Sequence, residues 1–380
     1  MRASVLVDVA RMELRELPRP EPGPRDVLLE VSAVGLCGTD FHIFGGEANY
    51  NLDRNGRPIP LAAAPQVLGH EFTGVVRELG REVRDLAEGE RVVVDQGVNC
   101  RSAARTPACE YCATGDSHQC EHYVEHGITG LQGALAELVA VPAVNCVRVA
   151  SDLTPAEVAL TESLACVLHS SRRAAAAKAR YALRATEPAR AVRTAVVLGA
   201  GPAGLLFVQH LRRVDGFDGC VLVSEPDPAK RALAETFGAE TVDPGTEDLA
   251  QVVRERSSGR LAEYLVEATG SGVVHEVLPQ LVRKQATVLQ YGVGHGRAAL
   301  GLLNQLHWKE PTLMLSIGAS GGFDADGRPS IYREALGLLE TRTVVVEPLL
   351  TDRYRGLERV PQAFGGDHRR PGYVKGVVTF

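Results

Sequence analysis

The sequence has 380 residues, 45% of them hydrophobic and 23% charged, with a formal net charge of -6. A chain of that length outgrows one comfortable hydrophobic core, so two domains are expected. The mild acidic balance gives no electrostatic reason for nucleic acid or an anionic membrane as partner.

The opening residues, Met1 to Val5, lead into a strand-like alternation and lack the apolar core of a signal peptide. No run of about 18 apolar residues could span a bilayer. A cytoplasmic location is therefore expected. Within the first 150 residues, Val-rich runs at 27–31, 74–79 and 91–94 predict short strands separated by turns, a small β-rich domain. At 154–157 the pattern changes: Thr154 can cap a helix, Pro155 suits its first position, and Glu157 completes a capping box. Between Arg172 and Arg193 an Ala/Arg-rich stretch reads as a solvated helix, with a basic patch as the sharper alternative. Strands predicted at 195–198, 220–223, 264–267 and 287–291 alternate with helices near 203–213 and 228–237, the pattern of a parallel sheet. A helix-like segment from about 331 and a strand pattern at 376–380 close the chain.

Of the eight cysteines, Cys100, Cys109, Cys112 and Cys120 cluster in the spacing C-x8-C-x2-C-x7-C. In a reducing compartment such a cluster points to metal rather than disulfides, and four thiolates suffice for a closed tetrahedral zinc. A second constellation is dispersed: Cys37 and His70 supply one sulfur and one nitrogen, and Glu71 and Glu162 are both candidates for a third ligand that leaves a position open for water or substrate. Further on, Gly199-Ala200-Gly201-Pro202-Ala203-Gly204 follows an apolar strand and opens a helix, the context in which G-x-G-x-x-G cradles a pyrophosphate. Gly199 allows the tight turn, Gly201 the approach of backbone to phosphate, and Gly204 close helix–strand packing. Glu225, at the end of the next strand, can accept hydrogen bonds from the adenosine ribose hydroxyls and would repel a 2′-phosphate, which favours NAD over NADP. A Lewis-acid site beside a hydride carrier describes an oxidoreductase.

The order Cys37, His70-Glu71, four cysteines, Glu162 and Gly199-x-Gly201-x-x-Gly204 resembles the zinc-containing medium-chain alcohol and polyol dehydrogenases, over essentially the whole chain. Cys37-Gly38-Thr39-Asp40-Phe41-His42 is similar to the first-ligand loop of the sorbitol, threonine and inosose branches. The segment from Glu162 to His169 is similar to their E-P-x-x-x-x-x-H, with Ser163 in place of proline. The resemblance implies an α/β protein: a β-rich GroES-like catalytic domain, 1–170 completed by 331–380, and a Rossmann doubly wound parallel-sheet domain, 171–330. It implies catalytic zinc on Cys37, His70 and Glu162, with Glu71 either an alternating ligand or a group that supports the ligands from behind, Asp40 orienting His70, and structural zinc on the four clustered cysteines. It further implies a proton path from substrate through Thr39 and cofactor ribose hydroxyls to His42. The expected activity is interconversion of a secondary alcohol and a ketone on a polyol, cyclitol or sugar-like small molecule, by a homodimer or homotetramer. A threonine-type amino-alcohol dehydrogenase and a non-catalytic NAD-sensing protein are the alternatives. Three departures from the family pattern stand out: extra residues at 50–57, an insertion at 101–108, and the Ala/Arg-rich connector.

Overall fold

A computed structural model describes residues 1–293, 302–319 and 321–380. The chain divides into two compact units, Met1–Ala165 with Ala319–Phe380, and Cys166–Gly318. Among the described residues no helix is long and apolar enough to cross a membrane.

The first unit is organised around the strand Asp26–Leu36, whose sequence DVLLEVSAVGL is apolar at almost every position and is buried along most of its length. It pairs antiparallel with Glu71–Leu79, with Leu138–Pro142 and with the C-terminal strand Gly376–Thr379. Leu29, Val31, Val34, Phe72, Val76, Val92, Val139, Phe364 and Val378 meet in its core. The register has a direct consequence for function: Gly35 lies opposite Glu71, and Leu36 lies opposite Gly376. Because the partners are antiparallel, Cys37, His70 and Lys375 all lie at the same end of the sheet.

The second unit is a six-stranded parallel sheet in the spatial order Glu240–Val242, Cys220–Ser224, Thr194–Leu198, Ala262–Glu267, Val282–Gln290, Thr312–Leu315. Its central strands are buried on both faces: Thr194–Leu198 is apolar after its first residue, while Ala262–Glu267 also buries Glu263 and Glu267, whose carboxylates accept from backbone amides. From Thr194–Leu198 the chain goes first to one neighbouring strand and later to the other. The carboxyl end of this strand is therefore the switch point at which such sheets bind ligands.

Local signals hold where they rest on chemistry. Thr154 accepts from the Glu157 amide, Glu157 reciprocates, and the helix Pro155–Ala159 begins there. It is interrupted at Leu160 and resumes as Thr161–Ala176. The helical segment expected near 203–213 is present, α-helical over Pro202–Gln209 and continuing as a π-helix over His210–Val214. One expectation is corrected. The Ala/Arg-rich stretch leaves the helix at Ala176 and continues as an irregular loop. There Tyr181 is buried and receives a bond from Arg283 Nε at 2.8 Å, while Arg184 donates to Val214 O and Asp215 O. Burial of one aromatic ring and two tertiary anchors outweigh the helical propensity of the alanines.

Candidate functional site

The four clustered cysteines come together in a lobe of the first unit, and their sulfurs all lie within 4.8 Å of one another. Cys109 caps the short helix Glu110–Thr114, which contains Cys112, while Cys100 and Cys120 are buried. All four are free thiols, with Cys100 and Cys120 sulfurs 3.6 Å apart and Cys109 and Cys120 sulfurs 3.8 Å apart. Zn–S bonds of about 2.3 Å in a tetrahedron place sulfurs roughly 3.8 Å apart, a spacing that the Cys100–Cys120 and Cys109–Cys120 pairs match. Backbone amides already point at the sulfurs: Cys109 N at Cys100 Sγ, 3.4 Å, and His122 N at Cys120 Sγ, 3.3 Å. Amides of Cys112 and Glu121 in turn pull the Cys109 thiol down to about 6. The lobe is fastened to the returning chain by Arg101, which donates to Gly327 O at 2.9 Å and lies over the Phe323 ring, and by Gly322 N on Gly115 O.

At the end of the first unit's sheet, Cys37, His70 and Glu71 place one ligand atom each within 4.8 Å. Asp40, fully buried, builds the site: Oδ2 accepts from Cys37 N at 2.9 Å and Oδ1 from Gly69 N at 3.1 Å. His70 Nδ1 faces Asp40 Oδ1 at 3.4 Å, an ionic contact rather than a formed hydrogen bond, which leaves Nε2 for a cation. Burial lowers the His70 pKa, but Asp40 and the Cys37 sulfur more than offset it and hold it well above the ordinary value. A surplus of anionic character of this kind suits a dication. Glu71 Oε2, in a residue only 1% exposed, makes no hydrogen bond among the described residues. Its carboxylate occupies the space a side chain at position 35 would need; a Cβ on Gly35 would lie 2.2 Å from Glu71 Oε2. The donor set, one sulfur, one imidazole and one carboxylate with an orphaned oxygen, fits zinc with a position to spare.

Glu162 does not fall within that 4.8 Å set. It is buried at the start of the helix Thr161–Ala176, and its Oε1 accepts from Gln96 Nε2 at 3.3 Å. Near it lie Glu125 and Asp95, both buried deeply enough that their carboxyls are pushed up, Asp95 to about 7. Thr39 Oγ1 is 3.8 Å from Cys37 Sγ. His42 is on the helix Gly38–Phe44, its side chain 37% exposed and its Nδ1 paired with Glu47.

Sequence reasoning missed three groups here. Lys375 Nζ is 2.5 Å from Glu71 Oε1, and both side chains are almost fully buried. The signal was present, a single lysine inside the apolar run Tyr373-Val374-Lys375-Gly376-Val377-Val378. Gln96 and Tyr332, linked by a hydrogen bond from the Tyr332 hydroxyl to Gln96 Oε1, carried no signal, since neither belongs to a local motif.

In the second unit, Gly199 sits at the switch point with φ of +95°, and Gly204 packs so closely that a Cβ would lie 2.0 Å from Gly199 O. Gly201 caps the helix Pro202–Gln209, and a Cβ there would meet nothing within 4 Å, so open space faces the helix N-terminus. Glu225 is tied to the glycine turn itself. Oε2 accepts from Ala200 N at 2.8 Å, inside the glycine turn, and Oε1 from Asp227 N at 3.0 Å. Each oxygen retains a further lone pair. Nearby Arg231 is committed to Glu225 O and to Asp243 Oδ2 at 3.1 Å.

Comparison with known proteins agrees with this geometry. The family model described as alcohol dehydrogenase GroES-like domain matches residues 23–151, and that described as zinc-binding dehydrogenase matches residues 202–341. L-galactonate-5-dehydrogenase of Escherichia coli (strain K12) is 29% identical over 363 residues, 95% of this chain and 94% of that protein. L-threonine 3-dehydrogenase of Pyrococcus furiosus is 27% identical over 353 residues, 93% of this chain and 90% of that protein. Among solved structures, a Sinorhizobium meliloti 1021 protein described as a zinc-binding dehydrogenase, bound to NADP, is similar at a TM-score of 0.81 and 28% identity, covering 100% of this chain and 99% of that one. With a sulfur tetrad, a Cys-His-Glu cluster and a glycine turn on a parallel sheet all on one chain, and both family models matched, the chain belongs to the zinc-containing medium-chain alcohol and polyol dehydrogenase family.

Proposed function

We propose that this protein interconverts a secondary alcohol and a ketone on a polyol, cyclitol or sugar-like substrate, with NAD as hydride carrier. In this reading residues 1–170 with 331–380 carry the chemistry and residues 171–330 bind the cofactor. The observation that carries the proposal is the Cys37-His70-Glu71 cluster with its orphaned, buried Glu71 oxygen. Zinc held there supplies a Lewis acid that polarises the substrate oxygen. Cys37 and His70 are ligands, and the third is a carboxylate, Glu162 with Glu71 alternating. Asp40 fixes the imidazole of His70. Thr39 Oγ1, beside Cys37, would accept the hydroxyl proton and hand on its own, through the ribose hydroxyls of a bound cofactor, to His42, which is open to water and paired with Glu47. Gly199, Gly201 and Gly204 seat the pyrophosphate, and Glu225 reads the ribose. The polyhydroxylated substrate is supported by the sugar-acid name of the Escherichia coli relative. The Pyrococcus relative supports a second reading, a threonine-type amino alcohol.

The test is a set of initial rates on polyols, cyclitols, sugar acids and L-threonine with NAD⁺ and with NADP⁺, before and after chelation. The expected result is the highest kcat/KM for a polyhydroxylated alcohol with NAD⁺, lost on chelation and restored by zinc. Turnover confined to L-threonine would transfer the case to the second reading, and turnover that survives complete zinc removal would end both. A homodimer or homotetramer is expected, checked by light scattering.

A further inference from the structure

Gln96 is buried in the bend between the strands Arg91–Val94 and Gly97–Val98. Its amide meets three side chains that come from three separate parts of the first unit. Tyr332, on the helix Ser330–Glu340, donates its hydroxyl to Oε1. Nε2 donates to Glu162 Oε1 at 3.3 Å and reaches Glu125 Oε1 at 3.5 Å. Glu125 Oε1 also accepts from the Tyr123 hydroxyl at 3.0 Å.

Chemistry fixes the amide in this sense. Ionised carboxylates only accept, so the two-hydrogen NH2 end belongs on their side, and the phenol supplies the donor that the carbonyl end needs. A flipped amide would set its oxygen against both carboxylate oxygens, three acceptors with no donor among them.

We propose that Gln96, oriented by Tyr332, is a positioning residue: it holds the Glu162 carboxylate in place as a metal ligand and keeps it apart from Glu125. The proposal rests on the reading that Glu162 is a ligand of the catalytic zinc. Two buried carboxylates with no donor between them repel and turn away from each other, and a ligand free to turn is a poorer ligand. The amide places one N–H on each. Its geometry in turn depends on a helix far along the chain, so the C-terminal part of the first unit contributes to the metal site without offering a ligand.

The test uses the zinc-loaded full-length protein and follows release of its zinc to a colorimetric chelator, with the cobalt-substituted site read by its visible spectrum. Gln96→Leu removes both donors; Gln96→Glu keeps the shape and replaces the donor with an acceptor; Tyr332→Phe removes only the orienting hydroxyl. Loss of a residue that supports a metal ligand typically costs 10- to 100-fold in metal affinity. One of the two zinc ions should therefore leave about 10- to 100-fold faster in both Gln96 variants, and about 2- to 10-fold faster in Tyr332→Phe, the scale of one hydrogen bond. The cobalt spectrum should shift in the same order. The other zinc, on the cysteine tetrad, should leave at the wild-type rate, a contrast that general loosening of the fold would not produce. Wild-type release and spectrum in Gln96→Glu and Tyr332→Phe, with Glu162→Gln releasing zinc fast, would overturn the positioning role alone. Wild-type release and spectrum in Glu162→Gln would overturn the ligand reading, and the proposal with it.

Discussion

Lys375→Met tests how much the buried Lys375–Glu71 pair, beside the candidate metal site, stabilises the first unit. Both side chains are nearly inaccessible, at 2% and 1% exposure, with Nζ and Oε1 2.5 Å apart. The variant keeps the aliphatic stem and removes the charge, so Glu71 is left with one oxygen newly unpaired and another already without a hydrogen bond. Breaking a buried pair in this way costs about 3–5 kcal/mol. In a unit of this size each kcal/mol lowers Tm by about 2–4 °C, so a fall of roughly 6–20 °C is expected. Burial lowers the lysine pKa, but the Glu71 charge more than restores it and holds it above the ordinary 10.5. The contribution is therefore fully present below pH 10.5 and is lost only as pH climbs through the higher folded value. The assay is thermal unfolding followed by circular dichroism. The single tryptophan, Trp308, is unsuited because it is 82% exposed and lies in the other unit. Adding Glu71→Leu should recover most of the loss, since an apolar pair of similar volume can replace a buried ion pair at little cost. A fall of less than 2 °C in Lys375→Met, or a double variant no more stable than the single one, would refute the reasoning.

Three further outcomes are expected. Cys112→Ser should reduce bound zinc from two ions per chain to one and lower Tm, because the sulfur tetrad ties the lobe to the returning chain near Gly322 and Gly327, while the protein that remains folded keeps its turnover; metal analysis paired with activity decides. Glu225→Ser should relax the preference for NAD⁺ and also raise KM for both cofactors, because the carboxylate anchors Ala200 N in the glycine turn; equal kcat/KM for NAD⁺ and NADP⁺ in the wild type would contradict its role. Burial pushes the Asp95 carboxyl up to about 7, against the Gly97 amide and helped by Glu125 and Glu162, so its neutral form is favoured in the fold and its penalty grows as pH rises from about 4 towards 7. Asp95→Asn should accordingly be near neutral at pH 4 and stabilising by a few kcal/mol at pH 8, and urea midpoints that shift equally at both pH values would rule this out.

The chain carries its local chemistry openly. Four cysteines in one lobe, a glycine turn between strand and helix, and a Thr-Pro-x-Glu cap are each set by residues close in sequence, and each is legible there. The alternation of Val/Leu-rich strands with helices likewise declares a parallel sheet, because strands buried on both faces are predominantly apolar. What depended on tertiary structure was which distant groups meet. Gly35 against Glu71 and Leu36 against Gly376 are register relations, and register places Lys375 behind a carboxylate some 300 residues earlier in the chain. The bonds from Tyr332 through Gln96 to Glu162 join segments with no common pattern, so no spacing could announce them. The loop after Ala176 departs from its local sequence signal for the same reason: its alanines and arginines favour a helix, and burial of Tyr181 and the acceptors that take Arg184 decide otherwise. Propensity acts over a few residues, whereas burial and pairing of polar groups are settled by the whole fold.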